Sequence, residues 1–156
     1  VDLALTRKGD YAVRAALHLA TGWESRRHIK IREVADAMTL PVGYTPRVLK
    51  LLADAGLAEA RAGRQGGYRL VAAPESISLL AVVEAAEGPL SLERCILRGG
   101  PCHWEDACAV HTAWANAIQA CRESLRSTTL ADLVSADDEL RSGPRTAAGQ
   151  RRARSR

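Results

Sequence analysis

Between Gly9 and Thr21 the apolar residues Ala12, Val13, Ala16, Leu17 and Ala20 recur at helical spacing, with Arg14 and His18 off the stripe. This period predicts a helix with one buried face. A charged stretch, WESRRHIK, interrupts the pattern. In IREVADAMTL, the positions Ile31, Val34, Ala35 and Met38 line one side of a second, shorter helix, which Leu40-Pro41 ends. Thr45-Pro46 opens a third. Threonine is suited to the N-cap, and proline fits the first helical position because its missing N–H would be unpaired there anyway. Val48, Leu49, Leu51 and Leu52 form the buried face of this helix, and Gly56 is its stop. Two short helices joined by a tight turn make a helix-turn-helix, whose second member enters the major groove from its N-terminal end.

The period then changes from helical to extended. LAEARA and YRLVA flank the turn GRQGG and predict a β-hairpin, the wing of a winged helix-turn-helix. SLLAVVEAA (78–86) is a further apolar helix belonging to the core and closed by Gly88-Pro89. Beyond a glycine- and cysteine-containing break, Val110, Trp114, Ala117, Ile118, Cys121 and Leu125 form a stripe along a long helix, and Cys121 is expected to pack in an interface there. With 4% aromatic residues and no Phe, the core must be built from Ala, Leu and Val.

Charge sharpens the picture once it is divided along the chain. Residues 1–72 carry 12 Lys and Arg against 7 Asp and Glu, residues 73–141 carry 5 against 11, and residues 142–156 hold five Arg and no acid. A basic first half points to nucleic acid, and the acidic second half to another task. Base contacts are expected from Tyr44, Thr45 and Arg47 at the start of the third helix, with Lys50 one turn further on. Arg47 is the foremost candidate, because a guanidinium grips guanine bidentately. Lys30 and Arg32 are candidates for phosphate contacts, and Arg61, Arg64 and Arg69 lie on or beside the wing tip. No apolar run is long enough for a membrane span or a signal peptide, so a cytoplasmic protein is expected.

CILRGGPCHWEDACAVH spaces Cys95, Cys102, Cys108 and His111 as C-x6-C-x5-C-x2-H. Cysteines in a reducing compartment bind metal or sense redox state more often than they form disulfides. Gly99, Gly100 and Pro101 break any helix, so the segment can wrap a cofactor, with His103 and Trp104 shielding it from water. Thiolates suit zinc and iron–sulfur clusters. The gaps are wider than those of common zinc ribbons and favour something larger than one ion. His111 lies three residues after Cys108, on the same helical face, as a further ligand candidate.

Taken in this order, LTRKGDYAVRAALHLA, the wing with GRQGGY, the cysteine series, the striped helix and TTLADLV resemble the IscR/NsrR/RirA family of bacterial transcription regulators over residues 5–134. The resemblance implies a homodimer joined by the long helix, about 109–127, and bound to a palindromic double-stranded DNA operator. It also implies an iron–sulfur cluster, 4Fe–4S or 2Fe–2S, on Cys95, Cys102 and Cys108, although the first gap is one residue longer than the usual x5. Two residues compete for the fourth ligand. His111 stands where IscR-like members place their histidine. Asp10 aligns with the aspartate that reaches the partner subunit's cluster in NsrR-like members. As an unligated residue, Asp10 would be a first-turn acid favoured by the helix dipole.

The expected fold class is therefore mainly α with a small β-hairpin wing. Residues 1–90 form the DNA-binding domain and 91–108 the cluster loop. Residues 109–135 form the dimerisation helix and its following segment, and 136–156 a disordered basic tail. Two other regulators fit the cysteines: a winged helix with a structural zinc, and a thiol switch. An enzyme with Cys108 and His111 as nucleophile and base is disfavoured, since there is no α/β pattern to form a pocket. No small-molecule substrate is expected.

Overall fold

A computed structural model describes residues 4–90 and 108–142. The first helix, α1 (Arg7–Thr21), starts two residues before Gly9, where the helical pattern was read to begin. Thr6 caps it: its hydroxyl oxygen accepts from the Gly9 N–H at 3.3 Å. Helix α2 (Ile31–Met38) ends at Thr39, which takes the left-handed conformation (φ 54°) and lets the Leu40 N–H return to the Ala35 carbonyl at 2.8 Å. Helix α3 (Thr45–Asp54) follows, and Gly56 (φ 71°) turns the chain away from it.

One local expectation is corrected here. Thr45 does not cap α3. The N-cap position is Tyr44, which makes no side-chain cap, and Thr45 is the first helical residue. The turn that starts at Pro41 brings its carbonyl over the helix start, where it accepts from both the N–H and the hydroxyl of Thr45, each at 3.0 Å. Thr45 is consequently buried, and Pro46 takes the second helical position.

The wing is β1 (Ala58–Arg61) paired antiparallel with β2 (Gly67–Leu70), Ala58 facing Leu70 and Arg61 facing Gly67. It is fastened to the body by a bridge in which Ile29 and Tyr68 exchange backbone hydrogen bonds of 2.8 and 2.9 Å. Gly67 permits this approach. Its φ is 147°, and a Cβ there would lie 2.3 Å from the Ile29 carbonyl oxygen.

Helix α4 (Leu79–Glu87) is capped by Ser78, whose Oγ accepts from the Ala81 N–H at 3.2 Å. Helix α5 (Ala109–Ser127) runs back along it, because Ser78 bridges Thr129 and Glu84 pairs with Arg122. None of the α5 residues is buried. Helix α6 (Leu130–Ser142) then returns to α1, placing Leu130 fully in the core. Residues 136–142 are thus helical, which corrects the expectation that they belong to a disordered tail; the rest of the expected tail lies outside the described residues. The cause is a capping box at TTLAD. The Asp132 carboxylate accepts from the Thr129 N–H (2.8 Å) and hydroxyl (2.7 Å), while the Thr129 Oγ1 accepts from the Asp132 N–H (3.1 Å). These bonds to its charged form hold the Asp132 carboxyl below its ordinary pKa.

The core centres on α1, where Ala12, Ala15, Ala16 and Leu19 are at most 1% exposed. Val34 from α2, Val48, Leu49 and Leu52 from α3, and Leu80 and Val82 from α4 join them. Ala15 and Leu19 were outside the expected stripe; α1 buries a wider arc because helices pack against it from several sides. His18 is drawn into the same packing, and its Nε2 is enclosed without a hydrogen-bond partner among the described residues. Burial lowers its pKa from the ordinary 6.5, with nearby Glu33 acting to raise it and Arg27 to lower it.

Two outcomes follow. Gly67→Ala pushes a methyl into the Ile29 carbonyl and should cost about 2–3 kcal/mol in urea unfolding. Because His18 is held neutral in the folded state, its contribution to stability is complete above the unfolded pKa and is lost as pH falls through the folded value. His18→Leu should flatten the decline in unfolding free energy between about pH 7.5 and pH 5, where the wild-type unfolded chain takes up the proton first.

Candidate nucleic-acid interface and cysteine site

Burial and pairing sort the basic residues of the helix-turn-helix. Tyr44 is half-buried, its ring edge-on to Tyr11 with centroids 5.9 Å apart and planes at 68°. The Arg47 guanidinium lies over the Tyr44 ring, 5.8 Å from its centroid, on the exposed side of α3. Such a cation–π contact restrains the side chain without consuming its hydrogen-bond donors. Lys50 is also exposed, but its ammonium is paired with both carboxylate oxygens of Asp54 at 2.6 and 2.8 Å. Thr45 cannot reach a base: its hydroxyl is committed to Pro41 and the residue is 1% exposed. This position is corrected from a reading residue to a packing residue.

The wing and α2 form the second basic element. An open cleft of about 550 Å³ lies between them, lined by Lys30, Arg32, Arg61, Gly63 and Tyr68 among others. Lys30 donates to the carbonyls of Gly63 (3.5 Å) and Arg64 (2.5 Å), tying the start of α2 to the wing tip. The start of α2 has no hydrogen bond from its N-cap side chain, and a helix start of this kind carries the positive end of the dipole. Arg32, Arg61 and Arg64 are exposed. Arg69, by contrast, is paired with Glu59 at 2.5 Å and also donates to the Arg26 carbonyl at 3.4 Å, so it braces the wing stem. The Lys30 tie joins residues 33 and 34 positions apart, and no local pattern signals it.

Cys95 and Cys102 lie outside the described residues. Cys108 immediately precedes α5, with an extended backbone (φ −107°, ψ 106°) and a half-buried free thiol. His111 is half-buried in the first turn of the same helix. Asp10 sits in the first turn of α1, where its carboxylate accepts from Arg14 Nε at 2.8 Å; Arg14 also donates to the Met38 carbonyl at 3.4 Å. Among the described residues, no three His, Cys, Asp or Glu side chains converge on one point. The donor set itself, three soft thiols with one imidazole or carboxylate, fits an iron–sulfur cluster. Cys121 carries a second half-buried free thiol, on the apolar stripe of α5. Among the described residues, no helix is long and apolar enough to cross a membrane.

A helix-turn-helix with a free arginine at the start of its second helix and a basic wing defines a winged-helix DNA-binding protein. The chain belongs to the Rrf2 family, whose model, described as an iron-dependent transcriptional regulator, matches residues 5–136. It is a DNA-binding transcriptional regulator and not an enzyme. It is 32% identical to the HTH-type transcriptional regulator NsrR of Shouchella clausii, over 89% of this chain and 93% of that protein. Among solved structures it is similar to CymR, the global cysteine regulator of B. subtilis (TM-score 0.72, 27% identity, 86% of this chain and 98% of the other). It is likewise similar to T. potens IscR (TM-score 0.70, 26% identity, 92% and 94%).

Arg47→Ala should weaken operator binding by about 1–3 kcal/mol and relax the preference at one base pair. Thr45→Val should instead lower folding stability and leave the ranking of operator variants unchanged. Fluorescence anisotropy on a panel of single-base operator variants separates the two.

Proposed function

We propose that the protein acts as a homodimer on a palindromic operator and that an iron–sulfur cluster on Cys95, Cys102 and Cys108 sets its affinity. The observation that carries this reading is the continuity of the cysteine series with α5. Cys108 is the residue from which the helix springs, and the helix's apolar stripe (Val110, Trp114, Ile118, Leu125) is left unburied in a single chain. A second copy would cover that stripe, as apolar faces at helical spacing require. Relatives named NsrR and IscR support the cluster assignment. A bound cluster would supply chemistry open to oxidation, nitrosylation or loss.

This chain's own residues do the rest. Three thiolates would fasten the 91–108 segment to the start of α5. The fourth position falls to His111, one turn along the same helix, or to Asp10. Asp10 must exchange its Arg14 partner to serve, a modest cost because both side chains are over 40% exposed. The recognition helices of a dimer must match major grooves about 34 Å apart. A hundredfold change in operator affinity requires only about 2.7 kcal/mol of coupling between the cysteine segment and that spacing.

A thiol switch is the second reading, favoured by the half-buried free thiol of Cys108. Protein purified without oxygen should be brown, with iron and sulfide in a ratio that names the cluster, and should sediment as a dimer. Cys102→Ala should be colourless and bind the operator equally with and without oxidant. Asp10→Ala and His111→Ala should differ in their absorption and circular dichroism, and the altered one identifies the fourth ligand. Colourless protein holding about one zinc would make the cysteines a structural clasp. Protein that takes up no metal and forms a disulfide with peroxide would establish the thiol switch.

A further inference from the structure

Leu90 is the last described residue before the cysteine-bearing segment, and both its backbone polar groups are held by charged side chains. Its N–H donates to Glu84 Oε1 at 3.0 Å, and its carbonyl accepts from Arg122 Nη1 at 2.6 Å. The same Arg122 nitrogen donates to the same Glu84 oxygen at 2.5 Å, closing a three-membered knot. Glu84 belongs to α4 and Arg122 to α5, and their side chains are only 26% and 23% exposed. Gly88, at φ 91°, makes the reversal that brings Leu90 back over Glu84. The segment therefore leaves from a point fixed on the side of α5 and returns to the end of that helix at Cys108. Between Arg122 and Cys108 the helix rises about 21 Å. Glu87, on the next turn of α4, accepts from the N–H (3.1 Å) and hydroxyl (2.6 Å) of Thr6, so this end of α4 is also fixed to the start of α1.

We propose that Glu84 and Arg122 are positioning residues for the cysteine segment, fixing Leu90 on α5 so that the chain leading to Cys95 starts from a set origin relative to Cys108. Neither residue carries a thiol or imidazole, and neither lies on the DNA-contacting face of α3 or the wing. They act through Leu90. The inference rests on the cysteine segment being the working part of the protein, but the knot exists whether or not a cluster is bound. Its test therefore has one readout for each state.

The first readout uses apoprotein: the rate of tryptic cleavage after Arg94 and Arg98, followed by mass, together with the alkylation rate of Cys108. Glu84→Gln and Arg122→Leu should each raise both rates on the order of tenfold, as expected for loss of a hydrogen-bonded charge pair. Arg122→Lys keeps a donor for both oxygens and should stay near wild type. The Glu84→Gln/Arg122→Leu double variant should be no faster than either single variant, since all three lose one shared knot. The second readout uses reconstituted protein: the rate at which visible absorbance disappears on adding an iron chelator should rise in the same order. Unchanged far-ultraviolet circular dichroism separates these effects from unfolding. Cleavage and alkylation within twofold of wild type in both single variants would overturn the proposal. If wild-type protein takes up no cluster, the iron–sulfur reading fails, and the apoprotein rates still decide the positioning role.

Discussion

The close approach of helices to α1 is the contact on which the rest of the structure depends. Ala12, Ala15, Ala16 and Ala20 are at most 5% exposed, and their short side chains let α2, α3, α4 and α6 all pack on one central rod. Without Phe, and with few aromatic residues of any kind, this chain cannot fill a wide core and instead narrows the space between helices. Interiors must be close-packed, so small residues at the centre dictate short interhelical distances. Gly9 extends the same logic. A Cβ there would lie 2.2 Å from the Glu87 carboxylate, so its absence lets α4 end against the capped start of α1.

That arrangement makes α1 the element through which the two ends of the molecule meet. On one side it supports α3 and the turn that buries Thr45. On the other it holds α4, α6 and, through α4, the long helix α5. The strong links between these parts are backbone hydrogen bonds and partly buried charge pairs. The Leu79 N–H donates to the Thr128 carbonyl at 2.8 Å, and the Leu130 N–H to the Ile77 carbonyl at 2.9 Å, so the end of α5 is stitched to the start of α4. Exposed pairs such as Lys50–Asp54 contribute little to stability in water and can exchange a carboxylate for a phosphate at small cost. The partly buried Glu84–Arg122 pair is of another kind, because it also satisfies the backbone of Leu90.

Much of the DNA-binding half was legible in the sequence because its signals are local. The helical period at Ile31–Met38, the Gly56 stop and the GRQGG turn each depend on neighbours within a few residues, and each element formed where its pattern lay. Arg47 was legible for the same reason, as a polar position off the apolar face of α3. Thr45 was misplaced because a threonine before a proline reads as a cap, whereas the turn from Pro41 supplies a carbonyl that draws it inward. Helix α6 was missed because Leu130, Leu133 and Val134 are followed by the polar run SADDELRS, which looks unable to pay for folding until α1 is there to receive its first turn.

The sequence by itself determined the elements from α1 to α5, the basic and acidic halves, and the donor types of the cysteine series, since period, charge and ligand softness are properties of residues and their spacing. Only the tertiary structure decided which charges are spent and which are free. Lys30 reaches the wing tip, Arg69 braces its stem, Asp10 holds Arg14, and Glu84 with Arg122 grips Leu90. Two of these ties, Lys30 to Arg64 and Glu84 to Arg122, join residues more than thirty positions apart. A charge acts over a few ångströms of space and is indifferent to distance along the chain, so its partner is fixed only when packing around α1 brings the two together.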